Sequence, residues 1–168
     1  MPEIHIRPAT SDDVEALCRL YYELHECHAR GVPDQLHSLG AFDERDWTDL
    51  VTALERLIGD DSAALMVAER GGAVVGLVEA YFRTDAPSPA RRARSHAYVQ
   101  SLVVDEAVRG RGVGRALMAA AHAWAAARGA IEIELDTWEY PGGPLTFYES
   151  LGYRTLRRTL VHDLVRST

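Results

Sequence analysis

Lysine is absent from this 168-residue chain, and all 18 of its basic side chains are arginine. The absence excludes a lysine Schiff base, a lysine nucleophile and a P-loop, because each needs a lysine ammonium group at a reacting or phosphate-binding position. The protein also has no lysine side chain of its own that could be acylated.

Cysteine and long apolar runs are scarce as well. Cys18 and Cys27 lie in one predicted helix, about 13 Å apart along its axis, whereas a disulfide needs Cα atoms within about 7 Å. We therefore expect two reduced thiols.

No stretch approaches the ~20 apolar residues of a membrane span, and the first seven residues lack a signal-peptide core. We expect a cytoplasmic protein without a membrane partner. The net charge of −7 argues against nucleic-acid binding, which needs a basic face.

The composition itself, 47% hydrophobic and 26% charged, is that of a globular protein, and we expect one domain over residues 1–168. Apolar periodicity predicts the secondary structure. The expected strands are residues 4–7, 63–69, 74–82, 96–104, 131–135 and 154–164. The expected helices are residues 14–31, a second one from Asp43 or Thr48 to Ile58, then 112–128 and 145–151, and the expected loops are 32–42 and 85–94. A hairpin at Gly71-Gly72 excludes a pure βαβ repeat, so we expect a mixed sheet with helices on both faces.

The most informative segment runs from Val99 to Met118, where an apolar strand enters an Arg/Gly turn that opens directly into an Ala-rich helix. Glycines allow positive φ and close approach of a ligand, and a helix N-terminus offers free N–H donors. The segment therefore predicts a pyrophosphate site. Its spacing excludes the Gly-x-Gly-x-x-Gly dinucleotide pattern, because Arg115 and Leu117 occupy the positions that would need glycine or alanine.

This segment resembles the turn of the GNAT superfamily of acetyl-CoA-dependent N-acetyltransferases. Arg109, Gly112 and Gly114 fill its pattern of Arg or Gln, two residues, Gly, one residue, and Gly or Ala. The opening segment at residues 6–13 and the late segment at residues 147–153 are also similar to the family. The resemblance implies an α+β (mixed α/β) fold, with a central mixed, mostly antiparallel sheet of six to seven strands flanked by about four helices. It implies transfer of an acetyl group from acetyl-CoA to a primary amine by direct attack on the thioester.

The resemblance also implies which residues hold acetyl-CoA. They are Leu102, Val103 and Val104 on the strand, Arg109, Gly110, Arg111, Gly112, Val113, Gly114 and Arg115 in the turn, and Tyr148. The strand residues present main-chain groups to the pantetheine arm, which enters where the strand separates from residues 131–136. Tyr148 is the expected general acid for the departing thiolate. Pro141 and Pro144 depart from the family's usual Asn and Ala, which reshapes the start of the last helix.

The general base is less well defined. Some relatives have a glutamate on the strand before the turn, where this chain has Gln100, and an amide cannot accept the proton. Glu79 on the neighbouring strand is the catalytic candidate. The alternatives are His96, a carboxylate of the far strand (Glu132, Glu134 or Asp136), or a water relay to several of these.

The acceptor side is expected at the first helix and the loop after it, with Tyr21, Tyr22, His25 and His28 as substrate-binding residues. The paired spacing of zinc ligands is absent from His25, Cys27, His28 and His37, so no metal is expected.

The acceptor is expected to be a small-molecule amine or a peptide or protein amine, and the family resemblance allows a homodimer. The alternative functions are a non-catalytic CoA-sensing module and a transferase for a longer acyl-CoA.

Overall fold

Five strands form one sheet, in the same order as they follow along the chain. The computed structural model describes residues 3–40, 44–162 and 164. The strands are β1 (Ile4–Pro8), β2 (Ala63–Arg70), β3 (Ala73–Asp85), β4 (Arg94–Val104) and β5 (Glu132–Leu135). The first four pair antiparallel, and β4 pairs with β5 in parallel. The sheet is therefore mixed and mostly antiparallel, as expected.

A β-bulge interrupts the ladder between β3 and β4. Glu79 pairs with Ser101 and Ala80 pairs with Val99, so Gln100 is an extra residue on β4. A bulge leaves its extra residue unpaired and bends the strand locally. The bulge lies in the strand that runs toward the predicted pyrophosphate turn.

Four helices cover the two faces of the sheet: α1 (Val14–Gly31), α2 (Glu44–Ile58), α3 (Val113–Ala127) and α4 (Leu145–Ser150). The apolar stripes of α1 and α2 pack on one face, with Leu17, Leu20 and Leu54 buried against Leu65 and Leu77. The apolar side chains of α3 pack on the other face, as the sequence predicted. Phe147 and Tyr148 of α4 join this second cluster, so α3 and α4 lie on the same side of the sheet.

The expectation of six to seven strands is wrong, because the described residues form five. The described residues between 154 and 164, expected as the last strand, form no strand. Leu156, Leu160, Val161 and Leu164 are 62–91% exposed. A strand needs an edge to pair with and a face to bury, and this segment has neither in the described part of the chain.

The remaining boundaries agree within a few residues. The differences lie at the β3–β4 connection and at the start of the second helix. The strand expected at residues 74–82 extends to Asp85, and the one expected at 96–104 begins at Arg94, so the loop between them is shorter than expected. The second helix begins at Glu44; the alternative start at Asp43, and the end of the loop expected at residues 32–42, lie outside the described residues.

Candidate functional site

The turn between β4 and α3 is held by its own side chains. Asp105 follows β4 and accepts a hydrogen bond from the Ala107 amide at 3.0 Å, and Arg19 of α1 donates to the same carboxylate at 3.1 Å. Arg109 Nε donates to the Val104 carbonyl at 3.0 Å. These bonds tie both sides of the turn to the end of β4, so the backbone that follows enters α3 from a defined position.

Consecutive main-chain amides are exposed where the turn enters α3. Gly110 and Gly112 have φ of 74° and 84°, a conformation that favours glycine. Gly112 is the N-cap of α3 and provides no side-chain cap. The amides of residues 110–115 donate to no acceptor in the described ranges. We call residues 109–115 the cradle. Its free donors, together with the positive end of the helix dipole, suit an anion.

The two glycines of the family pattern have different roles. A Cβ built at Gly112 meets no atom within 4 Å, so glycine is required there by φ, and the space above it is open. A Cβ at Gly114 would lie 3.2 Å from Phe147 Cζ and 3.6 Å from Val104 Cγ2. The sequence predicts close approach of a ligand at both glycines. The geometry also makes Gly114 a packing contact with α4.

The two parallel strands, β4 and β5, pair over only part of the length of β4. β4 pairs with β5 only from His96 with Glu132 to Val99 with Leu135. Beyond Val99, the β4 edge that faces away from β3 has no partner strand among the described residues. Leu102, Val103 and Val104 lie on this stretch, so their main chain borders the opening that the family resemblance implied for the pantetheine arm.

Tyr148 lies on α4 beside this opening. Its ring packs edge-on against Phe147 and Tyr153, with centroids 5.3 and 5.8 Å away. Burial raises the pKa of the Tyr148 hydroxyl to about 12, because removal from water disfavours the phenolate. The hydroxyl is therefore protonated at neutral pH. Tyr153 also contacts His122 Nε2 through its hydroxyl at 2.8 Å.

Glu79 is a buried carboxylate held by two phenols. Only 7% of the residue is exposed. Tyr21 donates to Oε2 and Tyr81 donates to Oε1, each at 2.6 Å. Burial, followed by the neighbouring Glu79 charge, raises the pKa of Tyr21. Both phenols are therefore neutral donors that orient the carboxylate.

The candidate bases on the far strand are engaged elsewhere. Gln100 is exposed at the bulge. Arg94 donates to both Glu132 and Glu134, and Tyr98 donates to Asp136 at 3.1 Å. The Arg94 guanidinium holds the pKa of Glu134 below its usual range. Among the candidates from the sequence, Glu79 is the buried carboxylate without a cationic partner in the described residues.

The four predicted acceptor-wall residues on α1 divide into two groups. Tyr21 contacts Glu79, whereas Tyr22 donates to the Gly40 carbonyl at 2.8 Å and His25 Nε2 lies 2.8 Å from the His37 carbonyl. The last two therefore hold the loop after α1 against that helix. His28 is half-buried, and burial lowers its pKa.

Two contacts of the site were not predicted from the sequence. Tyr81 was missed, although its spacing of two from Glu79 places both side chains on one face of β3. Tyr140 was missed as well: its ring fills the space where a Cβ at Gly31 would lie, 2.5 Å from its nearest atom. Its hydroxyl lies 3.9 Å from Cys27 Sγ. No pattern in the sequence joins the segment before α4 to the end of α1.

The described residues contain neither a cluster of metal-ligating side chains nor a membrane-spanning helix. No group of three or more His, Cys, Asp or Glu side chains is arranged to hold a metal ion there. Within the same residues, no helix has the length and apolar character needed to cross a bilayer.

The fold and the cradle define an acyltransferase-like architecture, and the comparison with protein families agrees. Residues 17–153 match the model of the Acetyltransferase (GNAT) family. The match spans well over half of the chain, so this chain belongs to the GNAT acetyltransferase family. No curated protein matches it.

Solved structures share the fold over nearly the whole chain. A mutant of the BH1408 protein from Bacillus halodurans superimposes with a TM-score of 0.85 at 25% identity, covering 96% of this chain and 99% of that chain. AAC(6')-Iy, in complex with the bisubstrate analog CoA-S-monomethyl-acetylneamine, gives 0.71 at 20% identity, covering 98% and 99%. The aminoglycoside acetyltransferase meta-AAC0020, from an uncultured soil metagenomic sample, gives 0.65 at 19%, covering 98% and 97%. The last two show the fold alone.

Proposed function

We propose that this protein is an N-acetyltransferase that moves the acetyl group of acetyl-CoA to a primary amine. The observation that carries the proposal is the run of unpartnered amides at residues 110–115 beside the open edge of β4. The amides suit a diphosphate, and the edge suits an extended arm with amide groups. Coenzyme A combines these two features in one molecule.

The residues present fit coenzyme A, because the cradle is a concave set of donors and a side chain at Gly112 would project into its open space. The amides of residues 111–115 would bind the diphosphate, and the Arg111 side chain would add positive charge, whereas Arg115 donates to Ser150 Oγ at 3.2 Å. The main chain of Leu102, Val103 and Val104 positions the pantetheine arm. When bound, acetyl-CoA supplies the activated thioester.

Tyr148 is the proposed general acid. Its hydroxyl proton passes to the departing sulfur, which would otherwise leave as a thiolate. With a pKa of about 12, the phenol keeps this proton at neutral pH, so the acid form is present when the carbon–sulfur bond breaks. The packing of its ring against Phe147 and Tyr153 restricts the direction in which the hydroxyl points.

Glu79 is the proposed base, acting on the acceptor ammonium directly or through a water molecule. Tyr21 and Tyr81 hold its two oxygens, so the carboxylate is oriented without being neutralised by a cation. A buried negative charge also attracts a protonated amine. Tyr21 therefore acts as a positioning residue and forms the part of the acceptor wall nearest to the base.

The acceptor class is proposed from this charge, and the structural neighbours are consistent with it. One neighbour is an aminoglycoside acetyltransferase, and another is bound to an analog that joins CoA to an acetylated neamine. We propose a small-molecule or peptide primary amine as acceptor, which is positively charged before it reacts.

The test is turnover of acetyl-CoA with a panel of amines that includes an aminoglycoside, a polyamine and a peptide N-terminus. We expect release of free CoA that depends on the amine. Glu79→Gln should lower kcat by about 100-fold or more with little change in CoA affinity, whereas the exposed control Glu139→Gln should leave kcat unchanged.

Two outcomes would contradict the proposal. Tight binding of acetyl-CoA without product from any amine would favour a CoA-sensing module. Faster turnover of a longer acyl-CoA at a fixed amine would replace acetyl-CoA as the donor. An active Glu79→Gln variant would reject only the assignment of the base.

A further inference from the structure

A cavity of about 350 Å³ lies at the end of β4 remote from the cradle. It is lined by Asp85, Arg91, Arg92, Arg94 and Arg157. Arg94 begins β4 and Val104 ends it, and ten residues of extended strand span about 33 Å. The cavity is therefore separate from the cradle.

The lining concentrates positive charge in a protein whose net charge is −7. Arg94 is compensated, because it donates to Asp85 at 2.9 Å, to Glu132 at 2.8 Å and to Glu134. Arg91, Arg92 and Arg157 make no ion pair with any residue in the described ranges. The fold thus brings three guanidinium groups without an ion-pair partner in the described ranges from two distant segments of the chain to one cavity, where Asp85 is the single acidic side chain of the lining.

His96 lies behind the lining and does not itself face the cavity. It is only 4% exposed, and its Nδ1 has no hydrogen-bond partner among the described residues. This nitrogen lies 3.9 Å from Asp85 Oδ2, which is part of the lining. Asp85 also pairs with Arg94, so the one acidic side chain of the lining already has two basic neighbours.

We propose that this cavity is a second ligand site, which binds the phosphate group of a small phosphorylated molecule. Guanidinium groups bind phosphate oxygens through paired, charge-assisted hydrogen bonds. Three free guanidinium groups match the two negative charges of a phosphate monoester better than the single charge of a carboxylate. The volume is at the lower end of the range for small-molecule sites and leaves room for an organic group attached to the phosphate.

The site is also remote from the proposed base. Asp85 and Glu79 are six residues apart on β3, which is about 20 Å of extended strand. A small acceptor cannot contact both residues, so the phosphorylated ligand is distinct from the acetyl acceptor. The inference does not depend on the proposed function, because it concerns a different part of the molecule.

The experiment is isothermal titration of the protein with phenyl phosphate and with inorganic phosphate at low ionic strength. Arg157→Gln removes one cationic wall of the cavity, and Arg158→Gln is the matched control, with the same charge change one residue away and outside the lining. We expect at least tenfold weaker binding of both probes to Arg157→Gln and unchanged binding to Arg158→Gln. Anion binding at the cradle is common to both variants and cancels in the comparison.

Two further measurements complete the test. Arg91→Gln should weaken binding as Arg157→Gln does, since the two arginines reach the cavity from different segments, and equal melting temperatures exclude unfolding as the cause. Succinate should bind at least tenfold more weakly than phenyl phosphate. The proposal is overturned if no saturable binding occurs, if Arg157→Gln and Arg158→Gln behave alike, or if succinate binds as tightly as phenyl phosphate.

Discussion

The conformation of Gly112 allows the cradle to be tested separately from the stability of the fold. Gly112→Ala adds one methyl group at a residue with φ of 84°, where the added carbon touches no protein atom. Gly72, in the hairpin between β2 and β3, provides a matched control: its φ is 81°, and a Cβ there also meets nothing within 4 Å. The two substitutions impose nearly the same backbone strain in two different turns, the β2–β3 hairpin and the turn that follows β4.

The stability cost should therefore be similar for both variants. An alanine in the left-handed region costs about 1–2 kcal/mol, which lowers the melting temperature of a chain of this size by about 2–8 °C. Only Gly112→Ala should also affect CoA. Loss of one charge-assisted hydrogen bond costs about 1.5–3 kcal/mol, so CoA should bind about 10- to 100-fold more weakly.

Calorimetric titration with CoA and thermal unfolding of both variants measure the two effects. The reasoning about the cradle is refuted if Gly112→Ala is destabilised as much as Gly72→Ala and still binds CoA with wild-type affinity. Loss of CoA affinity in Gly72→Ala would equally refute it, because strain alone would then explain the effect.

Three further predictions concern the packing of α4, the general acid and the N-terminal ion pair. Gly114→Ala brings a methyl carbon to 3.2 Å from Phe147 Cζ, so overpacking should destabilise the fold by about 1–3 kcal/mol, and the double variant with Phe147→Leu should recover stability in a double-mutant cycle. Tyr148→Phe should lower kcat by about 10- to 1000-fold with unchanged CoA affinity, and, because the pKa is about 12, wild-type kcat should show no alkaline loss from this group below pH 10. Arg7 donates two hydrogen bonds to Asp13 at 2.7 and 2.9 Å and lowers its pKa from 3.8 to about 2. Asp13→Asn should therefore lower the free energy of unfolding at pH 7 by about 2 kcal/mol.

The pH dependence of this last effect has a definite sign. A carboxyl with a depressed pKa stabilises the folded state fully above its unfolded pKa and loses that contribution as the pH falls through the folded value. The difference between wild type and Asp13→Asn, measured by urea unfolding, should thus shrink between pH 4 and pH 2. A difference that does not change with pH would contradict the ion-pair explanation.

For Tyr148, the control is Tyr153→Phe, and equal losses of kcat in the two variants would indicate a packing effect.

Local patterns predicted the elements that determine the site. Helical spacing located α1 and α3, alternation located β5, and Gly112 marked the start of α3, because each signal depends on residues close together in the chain. The last strand was predicted on the same kind of evidence and is not formed. A strand also needs a partner edge, and the residues that would supply it are far away in the sequence.

The amino-acid sequence by itself determined the family and the position of the cradle, since a glycine-rich turn before a helix creates free amides through local geometry alone. The tertiary structure decided the roles of the remaining groups. Packing of α1 against β3 brings Tyr21 to Glu79. Packing of α4 makes Gly114 a contact of Phe147. The convergence of two distant segments places Arg157 and Arg91 in the lining of one cavity. These relations join residues that are 33 to 66 positions apart. The sequence specifies which chemical groups are present. Distant side chains come close together only when the sheet and helices bury their apolar faces against each other.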